Sequence, residues 1–158
     1  KEGKLQVREN LEQIALSACE NTAESSGFVV FKGQGCNNRL PLGGNLYFQF
    51  GDLRVDTDTS HIVIEVESAG GITNLAKYWY YITDKDLSRI IQKPIILMHL
   101  YRQVSHSDYG SHLALWDFVW EEMRKTIGDK IQAIRYTYRN ISDLDPAIQY
   151  FKSSILSH

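Results

Sequence analysis

The sequence predicts one α/β domain over residues 1–158, with a mixed central β-sheet, one antiparallel hairpin, and helices on both faces. Three observations predict it. Asp52 to Glu67 alternates and turns as a hairpin does; Ile95 to Tyr101 is a near-continuous apolar run; and periodic helical segments separate the strands. An apolar run of that kind suits a strand buried on both faces of a parallel sheet. Strand–helix–strand alternation then implies parallel crossovers attached to the hairpin.

In chain order, residues from about Gln6 to Ser25 place Val7, Leu11, Ile14, Ala15, Ala18 and Cys19 at three- and four-residue spacing, an amphipathic first helix. Phe28-Val29-Val30-Phe31 reads as a short strand. The turn-rich Gly33-Gln34-Gly35-Cys36-Asn37-Asn38 and Pro41-Leu42-Gly43-Gly44 read as irregular loop, and Leu46 to Phe50 as a strand continuing through Asp52 into the hairpin. Beyond Glu67, Ser68-Ala69-Gly70-Gly71 breaks the chain and Thr73 is the expected N-cap of a helix from Asn74 to about Asp84. Ser107-Asp108-Tyr109-Gly110 reads as loop, Leu113 to Ile127 as a helix stopped by Gly128, Ile131 to Tyr138 as the final strand, and Pro146 to Leu156 as the final helix.

Size and composition narrow the function classes. At 158 residues the chain can bury one substantial core, and 43% hydrophobic with 23% charged residues is ordinary for a water-soluble domain. A net charge of -2 and a pI near 6.2 mean that a nucleic-acid partner must be held locally or through metal ions. Cys19 and Cys36 form neither a C-x-x-C pair nor a disulfide framework, and with His99, His106 and His112 they make no zinc-ligand set. With no signal-peptide pattern and no bilayer-length apolar run, the expectation is a cytoplasmic protein with no membrane partner.

The hairpin concentrates the chemistry. A two-residue turn at Asp58-Thr59 sets Thr57 opposite Ser60, and counting back puts Asp56 opposite His61 and Asp52 opposite Glu65. Period-2 alternation brings Glu67 to the face of Glu65 and turns Ile62, Ile64 and Val66 to the other. Three carboxylates on one patch require a counter-charge: a divalent cation, a shared proton, or an arginine such as Arg54. An acidic outer face on an amphipathic hairpin is the bland alternative.

This element order, with Asp52 and the acidic Glu65 on adjacent antiparallel strands, resembles the restriction-endonuclease-like superfamily and its PD-(D/E)-x-K motif. Glu65-Val66-Glu67 resembles the E-x-E variant, and Asn74-Leu75-Ala76-Lys77-Tyr78 is similar to the polar-x-x-x-Tyr pattern of exonuclease-like members. Phe50-Gly51 stands where the motif has Pro, and Glu67 where it has Lys.

The resemblance implies a metal-dependent nuclease hydrolysing DNA. Mg²⁺, or Mn²⁺ in its place, would be held by Asp52 and Glu65 with the Val66 carbonyl. Glu67 would orient or deprotonate water or bind a second metal. Lys77 could stand in for the motif lysine, although a lone helix lysine reads first as a surface charge. Asn74 and Tyr78, four apart, would face the hairpin, and Lys32 and Gln34 would touch phosphate. Glu12, ahead of Glu20, would be the auxiliary acid, with Asp56 a weaker ligand candidate. Cutting both strands would call for a homodimer through the Leu113 helix or the last helix. The alternative is an inactive domain of the same fold serving nucleic-acid binding or assembly, its acids neutralised by Arg54 or Lys77.

Overall fold

The computed structural model describes residues 2–67, 72–84, 89–102 and 110–157, with side chains from residue 11 onward. Five strands make the central sheet in the order β1 (Val30–Lys32), β4 (Leu53–Asp56), β5 (His61–Glu67), β6 (Ile95–Arg102) and β7 (Ile131–Tyr138). β1 and β5 each pair antiparallel with β4, whereas β5, β6 and β7 run parallel. The mixed α/β sheet expected from the sequence is therefore present.

Helices cover both faces. α2 (Thr73–Thr83) and α3 (Gly110–Ile127) are the successive crossovers of the parallel strands. Right-handed crossovers advancing in one direction put both helices on one side. There Leu75, Tyr78, Trp116 and Met123 pack on Val63, Leu97 and Ala133. α1 (Glu2–Ser25) and α4 (Asp145–Leu156) close the other side, where Ala15, Cys19, Ala147 and Phe151 pack on Ile62, Ile64, Met98 and Leu100. Alternate residues of β5 thus enter two different cores, which fixes its register: a one-residue slip would turn Glu65 into the α1/α4 core.

One expectation needs correction. Leu46 to Phe50 does not run on into the central sheet. It is a strand, β3 (Leu46–Gln49), but it pairs in a separate antiparallel hairpin with β2 (Arg39–Gly43), which lies in the stretch read as irregular loop, with Leu40 opposite Phe48. The break lies at Gly51, whose φ of +84° is left-handed. A Cβ there would approach Val63 Cγ1 to 2.5 Å, so Gly is required by conformation and by space. Buried Asn38 holds the bend, donating from Nδ2 to Gly51 O at 3.0 Å and accepting Phe50 N–H at its carbonyl at 2.9 Å.

Other boundaries shift by a few residues, and α2 follows Ile72 rather than a Thr73 cap. The breaks expected at 68–71 and 107–109, and His106, lie outside the described residues. No described helix is long and apolar enough to cross a membrane.

Candidate functional site

The β4–β5 register sets Leu53 opposite Ile64 and Asp56 opposite His61, as the sequence predicts. Asp52 lies one residue before β4, outside the paired register, and its backbone addresses Ile64 rather than Glu65, the partner that counting along the hairpin expects. Its N–H donates to Ile64 O at 2.9 Å, and its Oδ2 accepts the Val66 N–H at 2.8 Å. The carboxylate is thus fixed to the backbone of the strand that carries both glutamates. Gln49, at the end of β3, donates from Nε2 to Asp52 Oδ1 at 3.0 Å and to Gly51 O at 3.0 Å. Its part was missed in the sequence because β3 was read as continuous with β4.

α2 supplies the facing side. Asn74, Lys77 and Tyr78 are spaced i, i+3, i+4, one face of a helix. Tyr78 Oη donates to Glu65 Oε1 at 2.7 Å, Lys77 Nζ lies 2.6 Å from the same oxygen, and Asn74 Nδ2 donates to Glu67 Oε2 at 3.1 Å. Lys77 Nζ also donates to Gln49 O at 2.9 Å. Lys77 is 7% exposed, which corrects its reading as a surface charge. Its ammonium ties the strand before Asp52 to the carboxylate of Glu65.

The electrostatics follow from crowding acids at a covered place. Burial pushes the Glu65 carboxyl up to about 7; the Asp52 charge adds to the rise, while Lys77 and Tyr78 oppose it. Glu67 is raised by burial and then by the charges of Asp52 and Glu12, with Asn74 and Lys77 opposing. Glu12 of α1 therefore acts on the same cluster from the other helical layer. Burial and Glu65 raise the Tyr78 phenol well above its ordinary range, so it remains a donor.

Several sequence candidates are engaged elsewhere. Lys32 is exposed and pairs with Glu20 at 2.7 Å, while Gln34 is met at its backbone carbonyl, which accepts from Arg39 Nε at 3.0 Å. Asp56 meets His61 Nδ1 at 2.6 Å and Arg54 Nε at 3.3 Å. Burial pushes the Asp56 carboxyl up, but the His61 hydrogen bond and the charges of Arg54, His61 and Lys93 outweigh it and hold it low. Arg54 is stacked between Phe31 and Phe50, with Nη2 donating to Asn37 O at 2.9 Å. The neutralising cation beside Glu65 is Lys77.

Among the described residues, no three His, Cys, Asp or Glu side chains gather into a metal-holding group. The donor chemistry that does assemble is oxygen-only: the carboxylates of Asp52, just before β4, and of Glu65 on β5, with Glu67 close to Asp52 in charge. That set suits a hard ion such as Mg²⁺, which takes one or two protein carboxylates and keeps several waters. It does not suit zinc. Burial is the main cause that raises Glu65 and Glu67, and Asp52 adds to both, while Lys77 opposes the rise at each. No family model, no curated protein and no solved structure matches the chain.

Proposed function

We propose that the protein is a metal-dependent nuclease hydrolysing DNA phosphodiester bonds, with a restriction-endonuclease-like site at the carboxyl end of β5. One observation carries the reading: Asp52 is held to β5 beside Glu65 by the Val66 N–H at 2.8 Å, close enough for its charge to act on Glu65, and Lys77 reaches Glu65 at 2.6 Å from the next helix. Ligand sites in open α/β sheets favour the carboxyl ends of the strands.

Asp52 and Glu65 would hold the Mg²⁺, with the Val66 carbonyl as a further oxygen; Mn²⁺ would substitute. Bound there, the ion supplies a water of lowered pKa and relief of charge on the phosphoryl group. The chain's own groups do the rest. Tyr78 and Lys77 orient the Glu65 carboxylate and favour its anionic form, Gln49 and the Val66 N–H fix Asp52, and Glu67, steadied by Asn74, orients the attacking water. Cleavage of both strands would be served by a homodimer, for which α3 offers exposed Leu115 and Phe118.

The Lys77–Glu65 pair also supports the second reading, a domain of this fold whose acids are neutralised internally and which binds nucleic acid or a partner without catalysis. Single- and double-stranded DNA incubated with wild type and Glu65→Gln, with Mg²⁺, Mn²⁺ or EDTA, separates the two. The nuclease reading expects cleavage by wild type only, and only with metal. DNA binding without cleavage favours the second reading, and cleavage of equal rate in Glu65→Gln refutes the assignment of Glu65.

A further inference from the structure

The strand beside the acids contributes a group that neither reading above uses. In the parallel ladders Glu65 pairs with His99 of β6, and His99 with Arg135 of β7, so the three form one row across the sheet. His99 is 0% exposed. Trp116 Nε1 of α3 lies 2.9 Å from its Nδ1. An indole N–H can only donate, so Nδ1 must present its lone pair and the ring proton sits on Nε2. Trp116 is itself held: the Arg135 guanidinium lies 4.9 Å from its ring centroid and is anchored by Asp117 at 2.6 Å.

The His99 Nε2–H is therefore a donor of fixed identity and direction, yet among the described residues it finds no acceptor. Leaving such a donor unmade inside a protein costs roughly 1–3 kcal/mol, and polar interior sites of this kind are where waters lodge. Of the two row partners of His99, Glu65 is the one that can accept, and it has acceptor capacity to spare. Lys77 and Tyr78 both address Glu65 Oε1, and a carboxylate offers about four acceptor positions over its two oxygens.

We infer that His99 is a positioning residue for Glu65, donating through Nε2–H to a water shared with Glu65 Oε2, with Trp116 locking the tautomer that makes the donation possible. The inference deepens the proposed function, resting on Glu65 as a metal-binding acid. Groups that orient ligating carboxylates through hydrogen bonds affect metal affinity about 10–100-fold when lost. His99→Gln keeps an N–H near the position of Nε2; His99→Leu fills similar space without it.

The test has two arms. Nitrogen-15 NMR of the wild-type imidazole should show Nε2 protonated, Nδ1 bare, and an Hε2 resonance with a cross-peak to bound water; Trp116→Phe should release the tautomer. Mn²⁺ titration should show affinity at least about 10-fold weaker in His99→Leu and near wild type in His99→Gln, with circular dichroism confirming that both fold. An Nδ1-protonated wild-type ring, an Hε2 without a water contact, or His99→Leu binding Mn²⁺ like wild type would each overturn the role. If wild type binds no Mn²⁺, the metal reading fails, and the NMR arm alone decides whether His99 positions Glu65.

Discussion

Replacing Lys77 with Met removes the ammonium from Glu65 while keeping most of the apolar stem, and its effect should depend on pH in a defined way. Glu65, raised from 4.5 to about 7 by burial first, makes its full contribution to stability below about pH 4.5 and loses it as pH climbs through about 7. In wild type the carboxylate that forms above that point is met by Lys77 at 2.6 Å and by Tyr78 at 2.7 Å. Without the ammonium, the folded-state pKa of Glu65 rises further. Between the two values the variant retains a proton in the folded state that its unfolded chain has released. Each pH unit in that window therefore adds about 1.4 kcal/mol to the destabilisation.

From pH 7 to pH 8.5 the added penalty is about 2 kcal/mol, on the order of 4–8 °C in Tm for a chain of this size. Urea unfolding of wild type and Lys77→Met at pH 6 and 8.5 measures it, and the double variant Lys77→Met, Glu65→Gln should lose the pH dependence. The same difference at both pH values, or a double variant with the slope intact, would refute the pairing.

Three further outcomes follow from geometry. Gly51→Ala must take a left-handed φ of +84° and place its Cβ 2.5 Å from Val63 Cγ1. It should lose at least about 1–3 kcal/mol in urea unfolding, because both backbone strain and overpacking act. The two thiols should react at very different rates with a colorimetric disulfide reagent. Cys36 is exposed, whereas Cys19 is buried with its thiol pushed up to about 12, so one thiol reacts promptly and the second only on unfolding. Gln49→Ala, which removes a donor to Asp52, should weaken Mn²⁺ affinity about 10-fold in calorimetry, with less effect on folding than Gly51→Ala.

Legibility differed by element for physical reasons. The hairpin register was readable from the polar Thr57–Ser60 tip, the alternation before it and the β-branched run after it, and the structure keeps it from Asp56–His61 to Leu53–Ile64. β6 was readable from its apolar run and β7 from alternation of Ile131, Ala133 and Arg135 with Gln132, Ile134 and Tyr136. β2 and its pairing with β3 were not, because the pairing is short, bulged between Pro41 and Gly43, and rich in turn residues. The environment of Lys77 was hidden for another reason: a helix lysine looks exposed until Gln49, Glu65 and Tyr78 are placed around it. His99 needed still more, since its neighbours Glu65, Trp116 and Arg135 come from three other elements and meet only through the parallel registers. Local periodicity therefore disclosed the acids, and only tertiary packing disclosed what holds them.

The account stands on Asp52 and Glu65 acting together as a divalent-cation site, and Mn²⁺ binding followed by electron paramagnetic resonance tests this without depending on substrate choice. Wild type should bind Mn²⁺ and release it to excess Mg²⁺, while Asp52→Asn and Glu65→Gln, both folded, should bind at least about 10-fold more weakly. Undiminished Mn²⁺ binding by both variants, or none by wild type at millimolar metal, would contradict the account.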